Sequence, residues 1–174
     1  LLPGDIVEEK VATLGQDMSG SLRMLEAKYG TFAIFGNHEY IGGQAEDIHH
    51  HLQEAGITIL RDEYRKIAGG FYLLGRDYQH GERFVGANRQ ELSQVMAGLD
   101  RSLPVIMLDH QPSNLREGQE QGVDLQISGH THRGQLFPLN LLTKRIFETD
   151  WGYLRKGDFQ LIVSCGYGTW GPPI

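Results

Sequence analysis

At 174 residues, 40% apolar and 22% charged, the chain has the size and composition of one globular domain that buries a core without disulfide or structural-metal help. Its net charge of −6 and lack of a basic cluster argue against a general binder of nucleic acid or anionic membranes. The single cysteine, Cys165, excludes an internal disulfide, and no run reaches the length of a transmembrane helix or shows a signal-peptide pattern.

The chain opens Leu1-Leu2-Pro3-Gly4-Asp5, as the end of a strand, and closes on Gly171-Pro172-Pro173-Ile174 in a turn-rich segment. We read residues 1–174 as a single domain, an excised piece that lacks an upstream strand and helix and is incomplete at the C-terminus too. Ser19 to Tyr29 carries Leu22, Leu25 and Tyr29 at helical spacing. Thr31 to Phe35 reads as a buried strand that breaks at Gly36-Asn37-His38-Glu39-Tyr40. Ala45, Ile48, Leu52 and Ala55 mark a helix stopped by Gly56. Short strands follow at Ile57 to Leu60, Glu63 to Ile67 and Phe71 to Leu74, separated by turn signals. Leu92, Val95, Met96 and Leu99 mark another helix. Pro104 to Leu108 runs as a strand into Asp109-His110-Gln111-Pro112, and a polar helix spans Ser113 to Gln121. Val123 to Ile127 is an apolar run that breaks into Gly129-His130-Thr131-His132. Phe159 to Val163 is the last clear strand. Strands alternating with helices predict an α/β fold, with antiparallel additions in the middle and after residue 136.

In α/β sheets, ligands bind beyond the carboxyl ends of the strands. Four apolar runs end there in metal-ligating residue types: Asp5, Asn37-His38, His110, and His130 with His132. A carboxylate bridges cations, an amide oxygen is a neutral hard ligand, and imidazole suits transition metals. The glycines before Asp5, Asn37 and His130 allow a sharp exit from each strand. Such a mixed set fits a two-metal hydrolytic centre.

Gly4-Asp5…Glu8, Gly36-Asn37-His38-Glu39, His110 and Gly129-His130-Thr131-His132 together resemble four of the five ordered motifs of the calcineurin-like metallophosphoesterase family. The resemblance implies a sandwich of two mixed sheets flanked by helices, here without its first strand-helix unit. It implies two divalent ions (manganese, iron, zinc or cobalt) and hydrolysis of a phosphomonoester or phosphodiester by a metal-bound hydroxide. Asp5 would bridge the metals; Asn37, His110 and His130 would complete one site, and His132 would serve the other. His38 would act on the scissile phosphate, with Glu39 orienting its ring, and Asp109 would fix an imidazole. Gly134-Gln135 and the Gly-Thr-Trp-Gly-Pro-Pro ending resemble a bacterial, phosphodiesterase-like and often membrane-associated subgroup.

Two departures stand out. Position 8 is Glu where the family more often has Asp, and the first motif, an Asp-x-His that completes the site served by His132, is absent. The expectation is therefore at most one metal in this chain, with weak or no activity. Competing readings are a nucleotide or lipid-head-group pyrophosphatase on the same scaffold, and a non-catalytic binding or scaffold module. The expected partner is a phosphoester small molecule or lipid head group, without nucleic acid. Membrane association would come through segments outside the sequence, and location, bacterial membrane or cytoplasm, stays open with the oligomeric state.

Other conspicuous residues receive plainer readings. His49-His50-His51 point in three directions on a helix and form a solvated face. His80 is a turn residue, Cys165 a structural thiol and Arg133 a surface arginine. Tyr167 and Trp170 are even between pocket lining and packing. Specificity is expected in the loops Tyr40 to Glu46, Asp77 to Asn88 and Leu136 to Tyr153.

Overall fold

The computed structural model describes residues 1–7, 16–41, 43–79, 81 and 89–168; the readings of Glu8, His80, Trp170 and the ending from Thr169 lie outside them. The order of elements is α1 (Gln16–Arg23), β1 (Thr31–Ala33), α2 (His38–Ile41), α3 (Ala45–Glu54), β2 (Ile57–Ile59), β3 (Glu63–Ile67), β4 (Phe71–Gly75), α4 (Leu92–Val95), β5 (Val105–Leu108), α5 (Leu115–Glu120), β6 (Leu125–Ser128), α6 (Leu139–Ile146), β7 (Gly152–Lys156) and β8 (Phe159–Val163). A single 3-10 turn, His132–Gly134, follows β6.

Two sheets form. In the smaller, β1 and β2 run parallel, and Leu2 adds a parallel bridge to Ala33 on the other side of β1. The larger is mixed, in the order β3-β4-β5-β6-β8-β7, with a parallel centre and an antiparallel strand at each edge. The antiparallel additions therefore fall where the sequence places them.

Side-chain alternation along the strands sorts the core into three layers. Tyr72 and Leu74 of β4, with Val105 and Met107 of β5, pack against Leu92, Val95 and Leu115 of α4 and α5. Ile34, Leu60, Leu73 and Leu108 meet between the sheets. Ala33, Phe35, Ile57 and Ile59 pack on Ala45, Ile48 and Leu52 of α3. The result is helix, sheet, sheet, helix, the expected sandwich. Each buried aliphatic side chain contributes about 1.5–3 kcal/mol, so the inter-sheet layer outweighs any single polar contact, worth about 1 kcal/mol.

The structure departs from the sequence reading at two helices. α1 ends at Arg23, and Met24, Leu25 and Tyr29 are exposed, so the helical spacing of Leu22, Leu25 and Tyr29 marks no buried stripe. Residues 139–146, placed by sequence in a specificity loop, form α6, a helix with no buried residue. Apolar periodicity normally reports the face turned inward; here it lies outside.

The sheets pack tightly at Gly75, where an added Cβ would sit 2.3 Å from Leu60 Cβ and 2.8 Å from Ile34 Cγ2. Gly75→Ala is therefore expected to wedge them apart and lower stability by roughly 1–3 kcal/mol. Gly70→Ala, where nothing lies within 4 Å, should leave the urea midpoint unchanged.

Candidate metal centre

The turns after Leu2, β1, β5 and β6 meet at one edge of the sandwich. They are bound together first by Glu39, which is fully buried. Its Oε2 accepts the backbone N–H groups of Asp5 (3.0 Å) and Gly36 (2.7 Å), and its Oε1 those of Ile6 (2.6 Å) and Val7 (3.1 Å). All four lone-pair positions of the carboxylate are thus used, and the Asp5 turn is fastened to the Gly36 turn. This corrects the expected role: Glu39 does not orient the His38 ring, whose Nδ1 is buried without a hydrogen-bond partner. The His38 backbone N–H instead donates to Asp5 Oδ1 (3.0 Å).

The turns approach so closely that two glycines have no room for a side chain. A Cβ on Gly36 would lie 2.2 Å from Asp5 Oδ1. One on Gly4, whose φ is +91°, would lie 2.6 Å from His110 Nδ1. Of the three glycines expected to give sharp exits, Gly4 alone takes positive φ; Gly36 and Gly129 do not, and at Gly129 the nearest neighbour, Pro3, would be an ordinary 3.7 Å away. Asp5, His130 and His132 themselves take positive φ (53°, 69° and 46°), at a cost of roughly 1–2 kcal/mol per non-glycine residue. The strained backbone coincides with the polar cluster.

Four side-chain atoms converge there. His110 Nε2 lies 3.1 Å from Asp5 Oδ2, 3.2 Å from Asn37 Oδ1 and 3.1 Å from His130 Nδ1; His130 Nδ1 lies 3.0 Å from Asn37 Oδ1. Metal–ligand bonds of about 2.0–2.2 Å place neighbouring ligand atoms about 3.0–3.5 Å apart, so this is the spacing of a four-ligand site. The His110 tautomer agrees with it. His110 Nδ1 is 2.8 Å from the Pro3 carbonyl, which only accepts, so Nδ1 carries a proton and Nε2 faces the cluster. A proton on Nε2 could not serve three neighbours at once, whereas a cation could. His130 turns Nδ1 to the cluster while its Nε2 lies 3.0 Å from the Gln111 amide; for Nδ1 to act as a ligand, Nε2 carries the proton and the Gln111 amide presents its oxygen. Asp5, His110 and His130 are the His/Cys/Asp/Glu group placed to hold an ion among the described residues, and Asn37 adds a neutral oxygen.

The electrostatics couple the same residues to one another. Burial opposes the charge of Asp5, but hydrogen bonding and attraction from His110 outweigh it and hold the carboxyl below its usual range. Burial likewise opposes a charged His110, and Asp5 reverses that, raising its pKa. His130 is pushed down to about 4 by burial and then by His110, so its lone pair is free at neutral pH. Burial and the charge of Asp5 raise Glu39, against the pull of the Gly36 and Val7 N–H groups.

His38 and His132 line the openings on this cluster, a cavity of about 500 Å³ and a neighbouring one of about 320 Å³. His132 Nδ1 is buried without a hydrogen-bond partner. Asp109 does not reach an imidazole: both its oxygens bind Arg89, at 3.1 and 2.6 Å. The residues that fix the imidazoles are the Pro3 carbonyl and Gln111, which no sequence pattern singled out. Thr131 was missed as well. Buried between the two histidines, it donates to the Asp150 carbonyl (2.6 Å), and Asp150 Oδ2 accepts from Thr143 of α6 (2.7 Å), tying the turn to that helix. His49 packs edge-to-face on Phe35 and His50 pairs with Glu54, so the triple histidine stays apart from the site. Tyr167 and Arg133 are exposed, and Arg133 stacks on Trp151.

Glu39→Gln puts an NH₂ where two backbone donors need an acceptor. The expected loss is roughly 2–4 kcal/mol, a fall of about 5–15 °C in thermal midpoint, with weakened metal binding. An unchanged melting curve would remove Glu39 from its position as the fastener.

No family model matches the chain, but curated relatives do. It is 36% identical over 176 residues to a metallophosphoesterase of Helicobacter pylori, covering all of this chain and 46% of the relative. It is 37% identical over 174 residues to one of Aquifex aeolicus, covering 98% and 65%. A transmembrane protein with metallophosphoesterase domain from Danio rerio is 26% identical over 185 residues, covering 100% and 42%. The chain thus spans 42–65% of the length of these relatives, which come from bacteria and an animal. A crystal structure from Staphylococcus aureus, named as a 5'-nucleotidase, shares the fold with a TM-score of 0.55 and 12% identity, over 88% of this chain and 35% of that one. Among the described residues no helix is long and apolar enough to cross a membrane. With the ordered motifs at the strand ends and the full-length match to named relatives, the chain belongs to the metallophosphoesterase family.

Proposed function

We propose that the chain binds a divalent transition-metal ion through Asp5, Asn37, His110 and His130 and serves the hydrolysis of a phosphoester. The observation that carries this reading is the convergence of four donor atoms from turns of two different sheets: Asp5, Asn37 and His130 each lie 3.1–3.2 Å from His110 Nε2, and His130 Nδ1 lies 3.0 Å from Asn37 Oδ1. A divalent ion held there supplies positive charge for a phosphoryl oxygen and makes water more acidic. The family supports that general chemistry; the division of labour below is our reading.

Asp5 brings the one carboxylate and, with His110, sets the charge of the site. Asn37 and His130 add neutral donors, so the cluster keeps room for the charge of a phosphate. His38 lines both openings on the cluster, and we assign its ring to give a proton to a leaving oxygen. His132 serves a second ion together with Asp5. Two protein ligands are fewer than the three or four of a tight site, so the second ion is held weakly by the described residues and turnover is slow without excess metal.

Calorimetric titration of chelator-stripped protein with manganese or zinc tests the assignment. One ion should bind tightly, and His130→Ala should abolish that event. With excess manganese, His38→Ala should keep tight binding while hydrolysis of bis(p-nitrophenyl) phosphate falls by about 10²–10⁴-fold. Two equally tight ions, or tight binding that survives His130→Ala, would overturn the site. Unchanged turnover in His38→Ala would remove that residue from catalysis.

A further inference from the structure

The helix α6 and its approach form a lip beside the cluster. The lip is fastened to the body by Thr131, Asp150 and Thr143, and by Gly134, which packs against the backbone of Leu139 and Asn140. Its outer surface is apolar. Leu139, Leu142 and Ile146 form one stripe at i, i+3 and i+7, and are 45%, 54% and 61% exposed; Phe137, at the entry to the helix, is 81% exposed, and Trp151 follows at 52%. An isolated exposed leucine is ordinary, but a contiguous stripe with a projecting phenylalanine marks a contact surface.

Charge identifies the contact. Residues 133–156 carry five basic and two acidic residues within a chain of net charge −6. Of the two acids, Asp150 is buried and Glu148 is paired with Lys156 at 2.7 Å. Lys144 and Arg145 lie exposed in the last turn of α6, and Arg133 stacks on Trp151. The overall charge disfavours general membrane binding, and this lip is the local exception. Exposed Leu, Phe and Trp beside Lys and Arg are the pattern of a helix that lies in a bilayer interface.

We propose that the α6 lip docks on an anionic lipid surface, with Phe137, Leu142 and Ile146 inserted and Arg133, Lys144 and Arg145 at the level of the phosphates. Leu136, Leu139 and Leu142 also line the opening that holds Asp5, His130 and His132. Docking therefore turns the mouth of the cluster toward the head groups. The docking stands without the hydrolase reading; only the use of a head-group phosphoester as substrate rests on it.

Co-sedimentation with vesicles tests this directly. The chain should pellet with phosphatidylcholine vesicles containing phosphatidylglycerol and stay in solution with phosphatidylcholine alone. Phe137→Asp, a change at an exposed position, should lower partitioning by about tenfold or more. Lys144→Glu with Arg145→Glu should lower it further as a separate set, and added salt should weaken the wild type. Circular dichroism checks that each variant is folded, and Trp151 emission in a Trp170→Phe background should shift to the blue on anionic vesicles. Failure of the wild type to pellet with anionic vesicles would overturn the proposal. So would binding unaffected by either variant, or a dimer in sedimentation velocity that Phe137→Asp dissolves, which would assign the lip to a second copy. Metal titration is indifferent to all of these outcomes, so failure here leaves the metal site standing, and the reverse.

Discussion

The carboxylate of Glu39 is the constraint on which the site depends. The donors of the cluster arrive from the Leu2 bridge and β1 in one sheet and from β5 and β6 in the other. Sheet packing brings these strand ends near one another, but apolar contact is tolerant of small shifts, and ligand geometry is not. Four backbone N–H groups on one buried carboxylate remove that tolerance. They fix the Asp5 turn to the Gly36 turn at 2.6–3.1 Å, with no side chain able to fit between them at Gly4 or Gly36. Asp5 and Asn37 are placed as one unit, and His110 then docks on it through the Pro3 carbonyl.

The same closeness makes the cluster incomplete as a set of protein contacts. An anionic oxygen, an amide oxygen and two imidazole nitrogens face a common centre, and most of their lone pairs point inward. Burial raises the cost of leaving them so, and it also strengthens any charge placed among them. His110 relieves part of the strain when protonated, which is why Asp5 and His110 move each other's pKa in opposite directions. His130 cannot help in the same way, because burial and His110 keep it neutral. A cation resolves all four positions together.

Much of this was legible in the residues. Apolar runs that stop at Asp5, Asn37-His38, His110 and His130-Thr131-His132 define strand ends, and an α/β arrangement brings such ends to one edge. What was not legible has a common cause. The partners of Glu39 are backbone groups 32–34 positions away, apart from Gly36. The group that fixes His110 is a backbone carbonyl 107 positions away. Every residue has an N–H or a carbonyl, so composition and spacing carry no trace of which one is used. Asp109 misled for a related reason: adjacency to His110 suggested a shared role, yet successive residues leave a strand in opposite directions, and Arg89 lay on its side. α6 was missed because its apolar side chains are not buried.

The His130-Thr131-His132 turn joins these levels. Its left-handed residues swing the chain sharply, so that His130 enters the four-atom cluster while Thr131 turns into the body to reach Asp150. That leaves His132 lining both openings, with its Nδ1 buried and unpartnered. The threonine hydroxyl therefore holds two relations at once: the separation of the two histidines, and the connection through Asp150 to Thr143 of α6. A force on the lip has a short path of hydrogen bonds to the turn that carries His130 and His132. The polar cluster and the exposed apolar helix, which sequence reading treats as unrelated segments, are joined by these hydrogen bonds.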